Sequence, residues 1–317
     1  MTPHADPAFV HLRLHTEYSV SDSMVRIDKV IERAAACGMP ALAITDASNV
    51  FGMVKFYRAA RGAGVKPIVG VDCWVSNDAD RDKPSRMLLL VRSRAGYLRL
   101  CELLSRAWLT NQHRSRAEIK KQWFEDGGAD GLIALSGAQS GELGVTLASG
   151  NLAAAERCAA EWATYFPKAF YVELQRAGQP NAESYIRQAV AVAGKLGLPI
   201  VATHPVQFLK KDEFVAHEAR VCIAEGYVLA DQRRPRAFTT ESYFKSQAEM
   251  AALFADLPAA IANSVEIAKR CNLVLELGKP KLPRFPTPEG VSLEDYLVQQ
   301  AEAGLARRLE QLYPDAA

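Results

Sequence analysis

Short apolar runs alternate with amphipathic stretches from the start of the chain to about residue 205. The runs predict strands over 9–14, 41–45, 67–75, 87–91, 132–135, 170–174 and 200–203. Between them lie helical patterns such as "RIDKVIERAAACG", "MVKFYRAARGAG", "GYLRLCELLSRAWL", "NLAAAERCAAEWATYF" and "NAESYIRQAVAVAGKLG". Gly38, Gly64 and Gly197 stand where such helices stop, and Pro40, Pro67 and Pro199 restart the chain into strands. Continuously apolar strands joined by helices read as a parallel sheet covered by helices. Seven such units predict an α/β fold, a closed or nearly closed barrel of the TIM type.

Residues 212–275 follow another pattern. Three helical stretches, "DEFVAHEARVCIAEG", "SQAEMAALFAD" and "LPAAIANSVEIAKRCN", surround the basic loop "DQRRPRAF". We assign residues 1–275 to one domain with these helices appended. Proline and glycine mark 276–291 as a linker, and 292–317 as a helix opened by Ser292 with Glu294 and Asp295 behind it. A helix after a linker reads as the start of a further region.

Composition narrows the class. The chain has 317 residues and a net charge of +2, so no whole-chain basic surface argues for nucleic acid. No apolar run reaches the ~20 residues of a membrane span, and "MTPHADPAFV" lacks a signal-peptide pattern. Six cysteines without a CxxC pair read as reduced thiols of a cytoplasmic protein. In the basic loop, Arg233, Arg234 and Arg236 read as a solvated or intramolecular face, with DNA phosphates as the alternative.

Candidate chemistry gathers where predicted strands end: His15, Asp46, Asp72, Ser136, Glu173 and His204. "FVHLRLHTEYSVSD" places His11, Arg13 and His15 two apart, hence on one face of an extended segment. The bland reading of a strand-end aspartate such as Asp46 is a helix cap. Six histidines, at 4, 11, 15, 113, 204 and 217, are few for a multinuclear metal centre. No GxSxG, GxxxxGK[ST] or strand-adjacent GxGxxG occurs, and "GAQSGELG" is a weak phosphate-loop signal.

"FVHLRLHTEYSVSD", "GMPALAITDASNVFGMVKFYRAARGAGVKPIVGVD", "ALSG" and "LPIVATHPVQFL" resemble the PHP (polymerase and histidinol phosphatase) domain. With "AHEARVCIAEG", "FADLPAAIANSVEIAKRCN" and "LPRFPTPEGVSLEDYL", the similarity extends to the N-terminal part of bacterial DNA polymerase III alpha subunits. The resemblance implies a distorted (β/α)7 TIM-like barrel, whose rim in active PHP domains holds up to three metal ions and hydrolyses phosphoesters. Carried onto this chain, the ligand pattern is eroded. His-x-His reads Arg13 and His15, while Asp22 survives. Ala47 replaces a histidine, Asp72 a glutamate, Arg86 a histidine and Ala138 a cysteine or histidine. The final Asp-x-His reads Pro205 and Gln207. Alanine and proline offer no ligand atom, and arginine repels a metal ion.

The resemblance therefore implies a vestigial cleft of Arg13, His15, Asp22, Asp46, Asp72 and His204, with no catalytic residue and no cofactor. We expect the Arg13 guanidinium to pair with Asp72, Asp22 or Asp46. The function implied is a scaffold in DNA replication that supports the polymerase body and docks the proofreading exonuclease (epsilon) subunit. Contacts with the sliding clamp, tau and DNA belong to later regions of such a subunit, a DNA-directed DNA polymerase (a nucleotidyltransferase), and no membrane is involved. Two alternatives stand beside it. One is a residual metal-dependent phosphoesterase (pyrophosphatase or 3′–5′ exonuclease) with weak divalent binding. The other is a phosphate pocket without turnover, built from Arg13, His15 and His204.

Overall fold

A computed structural model describes residues 8–280 and 282–314, leaving the N-terminal stretch with His4 outside. Its strands are β1 (Ala41–Ile44), β2 (Lys66–Val75), β3 (Ser85–Val91), β4 (Gln112–His113), β5 (Arg116–Ile119), β6 (Leu132–Leu135), β7 (Phe170–Gln175) and β8 (Ile200–Thr203). Its α-helices are α1 (Ile27–Ala36), α2 (Met53–Gly62), α3 (Arg94–Thr110), α4 (Glu142–Ala148), α5 (Leu152–Tyr165), α6 (Ala182–Leu196), α7 (Phe214–Glu225), α8 (Gln247–Leu253), α9 (Pro258–Arg270) and α10 (Leu293–Leu312). The architecture is mixed α/β, as the alternating pattern predicts.

The ladders run β4-β5-β2-β3-β6-β7-β8, and β1 pairs in parallel with the first residues of β2, off this path. They leave the sheet unclosed. Isolated bridges span the gap: His11 meets Leu42 of β1, and Leu14 meets Val206 just after β8. Residues 9–15 thus lie where a first barrel strand was predicted, yet form no ladder. Side chains take part of their backbone bonding, since Val10 N–H donates to Ser264 Oγ and Leu14 N–H to Thr45 Oγ1.

One strand corrects the all-parallel expectation. β3 runs antiparallel to both β2 and β6. Its first residues, Ser85 and Arg86, therefore reach the rim where the parallel strands have their C-terminal ends. A second correction is Asp72, which sits inside β2 rather than at its end. The pair β4–β5 was not predicted at all.

Apolar residues of the strands and the inner helix faces form the core, among them Leu12, Leu14, Leu88, Ile133, Val172 and Val201. Each such side chain contributes roughly 1.5–3 kcal/mol by leaving water. Helix α9 packs against β8, where Asn263 Nδ2 donates to Ile200 O at 2.8 Å, so this helix belongs to the same core as the sheet. Gly96 is required by contact: a Cβ there would lie 1.9 Å from Gly131 O. Helices α1 and α6 are followed by Gly38 and Gly197 at φ +63° and +65°, the left-handed stop.

The chain divides into two compact units, residues up to 274 and from 275 onward. In the second, Ser292 Oγ caps α10 by accepting from Asp295 N–H, and Phe285 stacks on Tyr296. No residue of α10 is buried. Among the described residues no helix is long and apolar enough to cross a membrane.

Candidate functional site

The rim at the C-terminal ends of the parallel strands carries a buried network of charges. Asp72 projects from β2, beside Arg86 on the antiparallel partner strand, where the register pairs Trp74 with Arg86 and Asp72 with Leu88. Arg86 grips Asp72 with Nε at 3.1 Å from Oδ1 and Nη2 at 2.7 Å from Oδ2, and its guanidinium lies 4.2 Å over the Trp74 ring. Arg13 reaches in from residues 9–15. Its Nη1 donates to Asp72, while Nε and Nη2 donate to the two oxygens of Glu173 at 2.9 and 3.1 Å. His15 completes the set, with Nε2 3.1 Å from Asp72 Oδ2 and Nδ1 3.4 Å from Asp22 Oδ2.

Arg13 is 7% exposed, Asp72 1% and Glu173 not at all. Burial alone would raise the Asp72 pKa, but the adjacent Arg13, Arg86 and His15 hold it far below the usual carboxylate range. Burial likewise opposes charge on His15, yet the flanking Asp22 and Asp72 raise its pKa above the ordinary value. Burial would also raise Asp22, and the His15 contact lowers it instead. With His15 protonated, Arg13, Arg86 and His15 balance Asp72, Glu173 and Asp22. The cluster is neutral as a whole, and each buried charge has a partner.

Of the three partners expected for Arg13, only Asp72 receives it. Asp22 faces His15, and Asp46 holds the loop that follows. Asp46 accepts from Thr16 N–H at 2.6 Å, Thr16 Oγ1 at 2.8 Å and Ser19 Oγ at 2.7 Å. Its carboxylate therefore shapes the loop carrying Asp22 and does not face the cleft. His204 is also elsewhere: its Nε2 donates to Glu241 O at 2.7 Å, and it does not line the cleft of about 640 Å³ where Arg13, His15, Asp22 and Asp72 meet. Arg13, His15 and His204 are accordingly not assembled into one phosphate pocket.

Glu173, named among the strand-end residues but not in the cleft set carried over by resemblance, belongs to the site. It stands as the lone carboxylate in the apolar strand "FYVELQ". Besides Arg13 it accepts from Gly137 N–H, Gln175 Nε2 and Thr203 Oγ1. In the basic loop, Arg233 pairs with Asp231 and Arg234 with Glu218.

A family model for the PHP domain matches residues 11–177. The chain belongs to the PHP domain family. Its relatives include the DNA polymerase III subunit alpha of Neisseria meningitidis serogroup A, 52% identical over 98% of this chain. The subunits of Pseudomonas aeruginosa and Escherichia coli K12 are 48% and 45% identical over 97% and 98%. The chain spans about a quarter of the length of these relatives, 26–27%. Among solved structures, an amidohydrolase from Chromobacterium violaceum with bound SO4 and no metal matches 67% of this chain and 97% of its own. Its TM-score is 0.46 at 16% identity.

A PHP domain raises the question of a metal centre, and these side chains do not fit one. The oxygens of Asp72 face Arg13, Arg86 and His15, so a divalent ion would meet fixed positive charge where it needs lone pairs. Ala47 and Ala138 supply no ligand atom, and Pro205 only lines the cleft. Among the described residues no group of three His, Cys, Asp or Glu side chains could hold a metal ion.

Proposed function

We propose that this chain is a non-catalytic PHP module of a replicative polymerase alpha subunit, a scaffold that supports the polymerase body and docks the proofreading exonuclease subunit in the cytoplasm. The observation that carries the reading is Arg13, whose guanidinium lies between Asp72 and Glu173. It supplies permanently the positive charge that clustered carboxylates require, with geometry suited to two of them at once. The similarity to alpha subunits along nearly the whole chain supports the replicative setting.

The test is phosphate release from p-nitrophenyl phosphate and from pyrophosphate, with Mn²⁺, Zn²⁺ or Mg²⁺ supplied. We expect none above background. Metal-dependent release that disappears in His15→Ala would overturn the inactive reading. For docking, calorimetry with the purified exonuclease subunit should show saturable binding to the 317-residue chain, and absence of binding would remove the docking role.

A further inference from the structure

A second concentration of charge lies at the other end of the sheet from the Asp72 cleft. Lys66 opens β2, Arg92 follows antiparallel β3, and Lys168 stands two residues ahead of β7. All three therefore reach the N-terminal ends of the parallel strands. The end of α9 ties them together. Lys66 Nζ donates to Ala268 O and Asn272 Oδ1, both at 2.8 Å. Asn272 N–H donates to Arg92 O at 2.9 Å, and Arg270 Nη2 to Lys168 O at 2.9 Å. Lys66, Arg270 and Arg92 all bear electrostatically on the buried Cys271 thiol.

These cations meet neutral oxygens, not carboxylates. Arg270 Nη1 donates to the Tyr171 hydroxyl at 2.6 Å. None of Lys66, Arg92, Arg94, Lys168 and Arg270 forms an ion pair among the described residues. Nearby acids are placed otherwise: Glu266 pairs with Lys269, and Asp130 Oδ2 lies 3.3 Å from where a Gly127 Cβ would stand. Arg92, Arg94 and Lys168 are exposed. Helix α3 begins beside them. Ser93 Oγ accepts from Gly96 N–H, which leaves the N–H groups of Arg94 and Ala95 without a partner among the described residues. A helix start of this kind favours an anion.

The spread of the charges decides the ligand. β2, β3, β6 and β7 are consecutive in the sheet. Three interstrand steps of about 4.8 Å set Lys66 and Lys168 up to roughly 15 Å apart. That row exceeds one phosphate ion and matches about four successive phosphates of a B-form strand, one per ~3.4 Å. Unpaired arginine and lysine are the side chains that hold such oxygens. The net charge of +2 conceals the face, because acids elsewhere cancel it.

We propose that this face binds the phosphate backbone of duplex DNA without reading its sequence. It is independent of exonuclease docking and uses no residue of the Asp72 cleft. Fluorescence anisotropy of a short labelled duplex titrated with the 317-residue chain tests it. Saturable binding is expected, alike for two unrelated sequences and falling steeply between about 50 and 200 mM salt. Arg92→Glu with Lys168→Glu should weaken it about tenfold or more and flatten the salt slope by about two. Arg94→Glu carries the test if that double variant fails to fold. Arg233→Glu with Arg236→Glu, in the basic loop, should leave binding unchanged. Absence of binding at low salt would overturn the proposal, as would unchanged affinity in the folded variants or an equal loss in the loop variant. Polyglutamate competing as well as DNA at equal charge would assign the face to an acidic protein instead.

Discussion

Two groups of histidines sit in this fold under opposite conditions. At the rim, His15 lies between Asp72 and Asp22, and those carboxylates keep it protonated against its burial. Farther in, His11 donates from Nε2 to Lys245 O and His204 to Glu241 O, with ring centroids 6.2 Å apart. Burial pushes His11 down to about 4, and burial together with His11 and Lys245 pushes His204 down to about 3. One residue type thus serves as a cation in one place and as a neutral donor in the other. What decides is whether a carboxylate shares the pocket, because burial is common to both.

The largest effect should come from breaking the rim's central cation. Arg13→Ala leaves Asp72 with fewer partners and removes the bidentate partner of fully buried Glu173. Stranding a buried charge costs on the order of 3–5 kcal/mol. Urea denaturation should register that loss, and a variant as stable as the parent would show that Arg13 does not substitute for an ion. Glu173→Gln combined with Arg13→Ala should lose less than the sum of the single changes, since the two side chains act as a pair.

The inner histidines should show as acid sensitivity. Their folded pKa values lie below the unfolded value near 6.5, so on acidification the unfolded chain takes up protons first. Stability should therefore fall as pH drops from about 6.5 toward 4, by up to about 3 kcal/mol for His11. His11→Gln, where it folds, should flatten that limb of the stability curve. His15 has the opposite sign. Its folded pKa is raised, so its contribution is fully present below about 6.5 and is lost as pH rises through the folded value. A stability curve of His15→Gln parallel to the parent's above neutral pH would refute the charged assignment.

These contrasts also mark what the sequence could carry. The spacing of Arg13 and His15 two apart placed both at the cleft, and an apolar strand interrupted by Asp72 marked its partner. Asp46 and His204 looked equivalent to them because a strand end is visible in sequence, whereas the direction a side chain takes there is not. Thr16 and Ser19 engage Asp46, and Glu241 O holds His204. Glu173 reaches Arg13 across 160 positions of sequence, a pairing that only the folded chain creates. The direction of β3 was hidden for a simpler reason: "MLLLV" is equally apolar read either way, and the antiparallel pairing is what carries Arg86, aligned by resemblance with a ligand position, to the rim. The charged "RAEI" of β5 concealed a strand whose Glu118 is buried against Arg81 and Arg116.

A smaller loss is expected at Arg86. Asp72 would keep Arg13 and His15 after Arg86→Ala, so the cost should be roughly 1–3 kcal/mol, the range of a hydrogen bond to a charged group. The thermal midpoint should fall less than in Arg13→Ala, and the reverse order would make Arg86 the principal cation of the rim.

The smallest effect is expected where one residue of the ligand pattern implied by the resemblance is put in. Arg13→His places a ligand type beside His15, Asp22 and Asp72, which makes four potential donors. Arg86 would still grip both oxygens of Asp72, and Ala47, Ala138, Pro205 and Gln207 would still offer nothing that completes a multinuclear set. Metal binding requires the rim to exchange a resident guanidinium for an ion, and one substitution removes only one of two. Calorimetry with Zn²⁺ or Mn²⁺ should therefore show no saturable site in Arg13→His, and p-nitrophenyl phosphate should remain intact. Tight binding of a single ion by that variant would mean that Arg13 alone keeps the metal out.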